Sequence, residues 1–406
     1  MNKISTPFDL ASNGDPAAFA EPLHVGRPNV GDRRKLMARI EGILDRNWLS
    51  NHGPLVQEFE AKLAAYLGVK HCIPICNGTV ALELAIRALD LKGEVILPAF
   101  TFVATAHSLQ WQGITPIFAD IDPATHNLDP AAVERMITPR TTGIIGVHVW
   151  GRPCAIEALQ AVADQHGLPL MFDAAHAFGC SHGGRMIGNF GRCEVFSFHA
   201  TKFFNTFEGG AIATNDDELA AKIRLMKNFG FKGFDNVVYL GVNGKMTEVC
   251  AAMGLTGLES LNEFMAVNRR NYEAYRQGLA GIPGLRLIEY SPTEPCNRQY
   301  IVAEVDERAY GRSRDAAIQM LHAENVLARK YFWPGCHRME PYRTLYPEAG
   351  RNLPRTEEVA ARVIVLPTGK AVDVATISII CGMLVPAHGA CAQPGPGRKS
   401  SCGSTS

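Results

Sequence analysis

Residues 195–214 read VFSFHATKFFNTFEGGAIAT, and Lys202 is the decisive letter. Mostly apolar residues precede it, Phe203 and Phe204 follow it, and Gly209 and Gly210 open another apolar stretch. A lysine amine is a nucleophile only when deprotonated, and apolar surroundings lower its pKa by disfavouring the ammonium. Such lysines form Schiff bases with carbonyl compounds, pyridoxal phosphate among them. Taken alone, a solvated lysine just past a strand is the commoner reading, because Lys is rarely buried. Other stretches shift that balance.

Upstream, residues 168–179 read LPLMFDAAHAFG, a buried strand ending in an acid, Asp173. Pyridoxal phosphate needs a carboxylate beside its pyridinium nitrogen to act as an electron sink. The carboxyl end of a parallel strand is where ligands of open α/β sheets bind. Asp173 could equally cap the following helix. Further upstream, residues 75–89 read ICNGTVALELAIRAL. Val80, Leu84 and Ala88, with Ala81 and Ala85, fit helical spacing. The helix would open at Asn77, Gly78 and Thr79, and its free N–H groups would suit a phosphate. An ordinary turn and N-cap explains the same residues.

Composition narrows the class. The 406 residues carry 40 Lys plus Arg against 40 Asp plus Glu, so the formal net charge is zero. Without a basic excess, neither nucleic acid nor a membrane surface is indicated as a partner. The N-terminus lacks the apolar segment of a secretory signal, and no run approaches a membrane span. The 11 cysteines are scattered without metal-ligand spacing, so no metal is expected. Cys76, Cys250 and Cys381 lie in apolar runs and read as small core residues. The expectation is a cytoplasmic protein with reduced thiols.

Short apolar runs alternate with helical patterns from residue 50 to about 260. The expected strands are His71–Cys76, Glu94–Leu97, Pro116–Ala119, Gly143–Val149, Pro169–Phe172, Glu194–Phe198 and Gly210–Thr214. That pattern predicts an α/β large domain with a mostly parallel seven-stranded sheet covered by helices. Helices are expected at 247–260 and 262–280. A smaller C-terminal α+β domain follows, with strands at 285–289 and 299–305 and helices at 315–324 and 356–363. The expected division is 21–262 and 263–386, with residues 21–50 packing on the small domain or a partner subunit. Residues 1–20 and 387–406 read as disordered, being poor in large apolar residues.

With Lys202, Asp173 and Gly78-Thr79 in this order, the chain resembles the fold-type I pyridoxal-phosphate enzymes. More narrowly it is similar to the DegT/DnrJ family of nucleotide-sugar aminotransferases, over about residues 20–386. Five ordered stretches carry the likeness: NGTVALELAIRAL (77–89), LPAFTFVATAHSLQWQGITPIFADID (97–122), MFDAAHAFG (171–179), SFHATKFFNTFEGGAI (197–212) and GVNGKMTEVCAAMGLTGLESL (241–261). The resemblance implies roles residue by residue. Lys202 would be the Schiff-base lysine and proton carrier, and Asp173 the pyridinium partner. Phe102 would stack on the cofactor ring; without the likeness a core Phe is preferred. His176 would donate to the phenolic oxygen where many relatives carry Gln. Gly78, Thr79 and Ser197 would hold the phosphate. Asn228 would reach the phosphate of the neighbouring subunit, implying a homodimer with shared sites, although a helix C-terminal residue before Gly230 reads the same way.

Lys202 also bears on reaction class, since some relatives carry His there and act as dehydratases. The residues 328–347, ARKYFWPGCHRMEPYRTLYP, resemble the subgroup that aminates C4 of a dTDP-4-keto-6-deoxyhexose, with glutamate as donor. Tyr331 and His337 would lie near the sugar and Arg338 near the pyrophosphate. A Pro-Gly turn among core aromatics is the competing reading. C3 ketosugar and cyclitol aminotransferases share most of these motifs. A pyridoxal-phosphate dehydratase and a catalytically silent relative are the remaining alternatives.

Overall fold

The seven apolar runs become the seven strands of one sheet: β1 His71–Ile75, β2 Glu94–Pro98, β3 Thr115–Ala119, β4 Thr141–Val147, β5 Leu170–Asp173, β6 Glu194–Ser197 and β7 Gly210–Thr214. The computed structural model describes residues 16–386. The strand order is β1-β7-β6-β5-β4-β2-β3. All pairings are parallel except those of β7, which runs antiparallel to both β1 and β6. Strand interiors such as Val95–Leu97, Ile144–Ile145 and Met171–Phe172 are wholly buried, as a sheet covered on both faces requires.

The antiparallel β7 decides where the chemistry gathers. It lies between β1 and β6, so β1 is parallel to β6, and β1, β2, β4, β5 and β6 all end at one edge. The segments that leave this edge carry Gly78, Phe102, Trp150, His176 and Lys202. Lys202 sits in the turn segment joining β6 to β7. Gly210 lets β7 start there. A Cβ on it would lie 2.7 Å from the Phe196 carbonyl oxygen and 2.8 Å from the Asn77 carbonyl carbon.

The helices Glu248–Glu259 and Leu261–Gly278 meet at Ser260. Beyond them β8 Leu285–Leu287, β9 Ile301–Val305 and β10 Val363–Leu366 form an antiparallel sheet in that order. The helices Arg314–Ala323 and Pro354–Arg362 accompany it. Sequence periodicity puts Val363 at the end of a helix, but it begins β10. The run Val363–Leu366 is apolar and largely β-branched, and pairing with β9 favours the strand.

Residues 16–20, expected to be disordered, are held in place. Ala18 and Phe19 are buried, and the Ala18 N–H donates to Glu324 Oε2 at 2.8 Å. Leu23–His24 pairs in parallel with Val326–Leu327. The segment then reaches the Lys202 turn: Asn29 Nδ2 donates to the Phe203 carbonyl at 2.8 Å, and Asn205 Nδ2 to the Asn29 carbonyl at 2.9 Å. Composition missed these side-chain-to-backbone ties, which need few apolar residues. The expected disorder of residues 1–15 and 387–406 lies outside the described residues.

No helix among the described residues is long and apolar enough to cross a membrane. Gly210→Ala tests the close approach on which the sheet edge depends. The opposing atoms are backbone and cannot rotate away, so a loss of about 1–3 kcal/mol is expected in urea unfolding. An unchanged midpoint and slope would show that β7 has room to spare.

Candidate active site

Lys202 lies at the C-terminal end of β6, in a turn whose neighbours Phe203 to Thr206 are all buried. Its Nζ donates to the Tyr300 hydroxyl at 3.4 Å and lies 5.9 Å from that ring's centre. Burial pulls its pKa down to about 8, although Asp173 and Tyr331 both act to raise it. The free-base fraction near neutrality is therefore small but far larger than that of an ordinary lysine, which is what a nucleophile and proton carrier draws on.

Asp173 ends β5 and is buried. Its Oδ2 accepts from Thr105 Oγ1 at 2.8 Å and its Oδ1 from the Ala175 N–H at 3.0 Å. Burial raises its pKa above the usual carboxylate range. The two hydrogen bonds and the charge of Lys202 oppose that rise. Among the described residues no cation forms an ion pair with this carboxylate. A buried acid with oriented donors and no ion-pair partner among the described residues fits a protonated ring nitrogen. The alternative of a helix cap is not realised, since no helix follows Asp173 directly.

The helix Gly78–Ala88 begins beside β6. Asn77 is its N-cap, its Oδ1 accepting from the Val80 N–H at 2.8 Å. The Ala81 N–H is also engaged, to the Asn77 carbonyl. The N–H groups of Gly78 and Thr79 have no acceptor among the described residues. A Cβ on Gly78 would lie 2.9 Å from Ser197 Cβ and 3.2 Å from Ser197 Oγ, so helix start and strand end abut. Thr79 is exposed and Ser197 half-buried. Two free N–H groups at a positive helix end, flanked by two hydroxyls, fit a phosphate. Asn77 thus caps the helix and leaves the Gly78 and Thr79 N–H groups free.

Phe102 is not a core residue, being 58% exposed at the N-terminus of the helix Val103–Gln110. It lines a cavity of about 480 Å³ with Thr101, Tyr331, Trp333 and Arg329. Its carbonyl accepts from the Thr105 N–H at 3.2 Å, so one helical turn aligns Phe102 with the residue that holds Asp173. His176 is buried, with its Nδ1 accepting from the Trp150 N–H at 3.3 Å. Burial, and secondarily Lys202, push its pKa well below the ordinary value, so the ring is neutral.

The structure thus brings Lys202, Asp173 and His176 together at one edge, with Gly78 against Ser197 and Phe102 beside Tyr331. Other expected residues stand elsewhere. His337 is buried, its Nε2 3.1 Å from Glu357 Oε1, and Arg338 pairs with the same carboxylate. Neither lines the cavity of Tyr331 and Phe102. Asn228 lines a separate cavity of about 230 Å³ with His52, Arg224, Lys227 and Lys245. Sequence reasoning missed Thr105, Trp150 and Tyr300. Thr105 had a signal, three residues after Phe102 on one helical turn. Tyr300 had none, because it arrives from the smaller portion.

Capture of pyridoxal phosphate followed by borohydride reduction should label Lys202. The labelling rate should climb as pH rises through about 8 and flatten above it, whereas an ordinary lysine would still be gaining at ~10. Peptide mapping across a pH series reads both the position and the midpoint. An adduct on another lysine would remove Lys202 from the site.

Known proteins are similar to this chain over most of its length. Residues 31–385 match the DegT/DnrJ/EryC1/StrS aminotransferase family. The chain is 37% identical to an Escherichia coli dTDP-4-amino-4,6-dideoxy-D-glucose transaminase over 346 residues, covering 85% of this chain and 93% of that one. It is also 37% identical over 348 residues to a GDP-perosamine synthase of Caulobacter vibrioides, covering 84% and 92%. Among solved structures it resembles DesI in the presence of its TDP-sugar product, at 51% identity and a TM-score of 0.89, covering 93% of this chain and 95% of DesI. This chain belongs to the DegT/DnrJ/EryC1/StrS aminotransferase family, as a sugar aminotransferase of the pyridoxal-phosphate fold type I.

Proposed function

We propose that the protein transfers an amino group from glutamate to C4 of a nucleotide-linked 4-keto-6-deoxyhexose, with dTDP-4-keto-6-deoxyglucose as the favoured acceptor. The observation that carries this reading is the near-full-length similarity to a transaminase named for a 4-amino-4,6-dideoxyglucose and to DesI with its TDP-sugar product. The donor, the regiochemistry and the roles of individual side chains are part of the proposal.

Pyridoxal phosphate supplies an electron sink that stabilises the carbanion formed when a proton leaves the carbon bearing nitrogen. The chain's own residues do the rest. Asp173 would hold the ring nitrogen in its protonated form, and Thr105 keeps that carboxylate aimed. Gly78, Thr79 and Ser197 would receive the phosphate, and Phe102 would cover a ring face. Lys202, poised near pKa 8, would take the proton from the donor carbon and return it. Tyr300, within 3.4 Å of Nζ, orients that amine. Tyr331, on the cavity shared with Phe102, is the side chain best placed for the sugar. His337 and Arg338 are weaker candidates for substrate, since Glu357 engages both.

Two copies complete the site in this reading. Asn228 and its basic neighbours Arg224 and Lys245 face a cavity of their own, which suits a phosphate brought by a second subunit. The exposed Phe229, Phe234, Val237 and Leu240 beside them, and Leu44, Trp48 and Leu49, suit a covered face. The free cysteines Cys72, Cys154 and Cys193 are buried, which fits a reducing cytoplasm.

Regiochemistry depends on which carbonyl carbon reaches the cofactor amine once the nucleotide is anchored. A shift of one ring carbon moves that point by ~1.5 Å, and misplacement of about 1 Å can cost a hundredfold. Steady-state kinetics on paired 3-keto and 4-keto dTDP-6-deoxysugars should therefore favour the 4-keto compound by about that factor in kcat/KM. A preference for the 3-keto compound would move the enzyme to C3 chemistry. Sharing of sites is tested by mixing Lys202→Ala and Asn228→Ala chains. In a mixed dimer one site carries both defects and the other neither, so about a quarter of wild-type activity should return at equal mixing. Proven chain exchange without recovery would assign Asn228 to its own subunit.

A further inference from the structure

Trp150 has φ 63° and ψ 5°, in the left-handed region, and its side chain is wholly buried. A bulky aromatic residue there is an outlier. Such a conformation persists only where its surroundings over-determine it, and it concentrates at functional sites. Here every polar group of Trp150 is spoken for. Its carbonyl accepts from the Tyr290 hydroxyl at 3.4 Å. Its indole Nε1–H donates to His126 Nδ1 at 3.0 Å. Its backbone N–H donates to His176 Nδ1 at 3.3 Å. The indole lies nearly parallel to Phe332, 5.2 Å between centres and 15° between planes, and stands 6.2 Å and 18° from the His176 ring.

The donors fix the tautomers. An indole N–H only donates, so His126 Nδ1 is an acceptor and its hydrogen is on Nε2. That nitrogen is 2.8 Å from Glu304 Oε1, on β9. Burial works to raise the Glu304 carboxyl, yet the hydrogen bonds from His126 and Arg286 and the Arg286 charge hold it below the usual carboxylate range. The chain therefore ends in a firm anion. A backbone N–H likewise only donates, so His176 Nδ1 must be a lone pair. An imidazolium, or the tautomer with hydrogen on Nδ1, would set two N–H groups against each other. What remains to His176 is a single donor, Nε2–H. Its carbonyl is pinned as well, by Asn297 Nδ2 at 2.8 Å and Gln299 Nε2 at 2.6 Å. Next in the chain Gly151 has φ 82°, and a Cβ on it would lie 2.8 Å from the same carbonyl oxygen.

We propose that Trp150 is a positioning residue for His176: the Glu304–His126–indole chain holds its backbone in the left-handed conformation, and its N–H thereby fixes His176 as a neutral Nε2–H donor. The device joins the two parts of the fold, because Glu304, Tyr290, Asn297 and Gln299 all come from the smaller portion while His126, Trp150 and His176 come from the sheet edge. Its functional consequence rests on the reading of His176 as the donor to the cofactor's ring oxygen. A neutral donor there would stabilise the oxyanion without adding a second titrating charge beside Lys202.

The experiment separates the two parts. Full-length protein labelled with ¹⁵N-histidine, free of cofactor, reports each ring's tautomer through long-range nitrogen–proton spectra, with His176→Gln assigning the signal. Trp150→Ala and Trp150→Gly both delete the indole, but only glycine adopts a positive φ freely. Trp150→Ala should give averaged Nδ1 and Nε2 signals at His176, and Trp150→Gly should restore much of the Nε2–H pattern. With cofactor bound, Trp150→Ala should lose about tenfold in kcat with little change in KM, and its cofactor absorption should shift. Should Trp150→Ala fail to fold, Trp150→Phe keeps a buried aromatic ring while removing the indole donor. It should release His126 Nδ1 and loosen His176 in the same spectra. A wild-type His176 pattern in Trp150→Ala or Trp150→Phe would overturn the positioning role, as would equal disorder in the Gly and Ala variants. A changed tautomer that leaves the cofactor spectrum untouched would overturn the contact between His176 and the cofactor.

Discussion

Asp173 is a buried carboxylate with two oriented donors and no ion-pair partner among the described residues, and much of the sheet edge is arranged around that imbalance. Burial raises its pKa. Thr105 and the Ala175 N–H resist that, and the charge of Lys202 adds to their effect. The acid and the amine act on each other in opposite senses. Asp173 raises the pKa of Lys202 while burial lowers it to about 8, and Lys202 lowers that of Asp173 while burial raises it. Neither group is held in an ion pair with the other, so each is left to answer a third partner. A cation docking against Asp173 would relieve its desolvation, which is the electrostatic reason a protonated heterocycle suits this site.

Geometry follows from one strand direction. Because β7 is antiparallel to both neighbours, the turn from β6 carries Lys202 across the edge where β5 delivers Asp173. The same edge receives the helix that starts at Gly78, with Ser197 against it. Close backbone approach makes this possible, and the glycines at 78 and 210 are the places where a side chain would collide. The smaller portion then closes on the edge from outside. It places Tyr300 beside Lys202, Tyr331 beside Phe102, and Asn297 and Gln299 on the His176 carbonyl.

Much of this was legible in the chain. All seven strands of the large sheet were visible as short apolar runs between helical patterns, since burial on both faces leaves a nearly continuous apolar signature. Strand ends moved by one or two residues, as with β4, expected to run to Val149 and ending at Val147. The sheet edge was legible through chemistry: a lysine in an apolar run, an acid at a strand end and a glycine-threonine at a helix start. Val363 reads as the end of a helix because the helix Pro354–Arg362 runs directly into the strand Val363–Leu366, leaving no turn residue to mark the boundary. The order of residues 16–20 was missed because it comes from hydrogen bonds to Glu324 and Asn325, which composition does not encode.

Residue pattern alone carried the α/β class, the seven strands of the large sheet, the family likeness and the choice of Lys202 and Asp173 as candidate groups. These are local properties, written in periodicity and in residue type. Tertiary structure alone decided which aromatic residues meet them. Phe102 is exposed on a cavity instead of packed in the core, and His337 is buried against Glu357 instead of facing that cavity. Trp150 reads in the sequence as one more apolar residue, yet it takes a left-handed backbone between His126 and His176. Its conformation is imposed by partners 24 and 26 residues away and, through Glu304, by a strand of the smaller portion. Contacts of that separation leave no periodic trace in the chain, so only the folded arrangement reveals them.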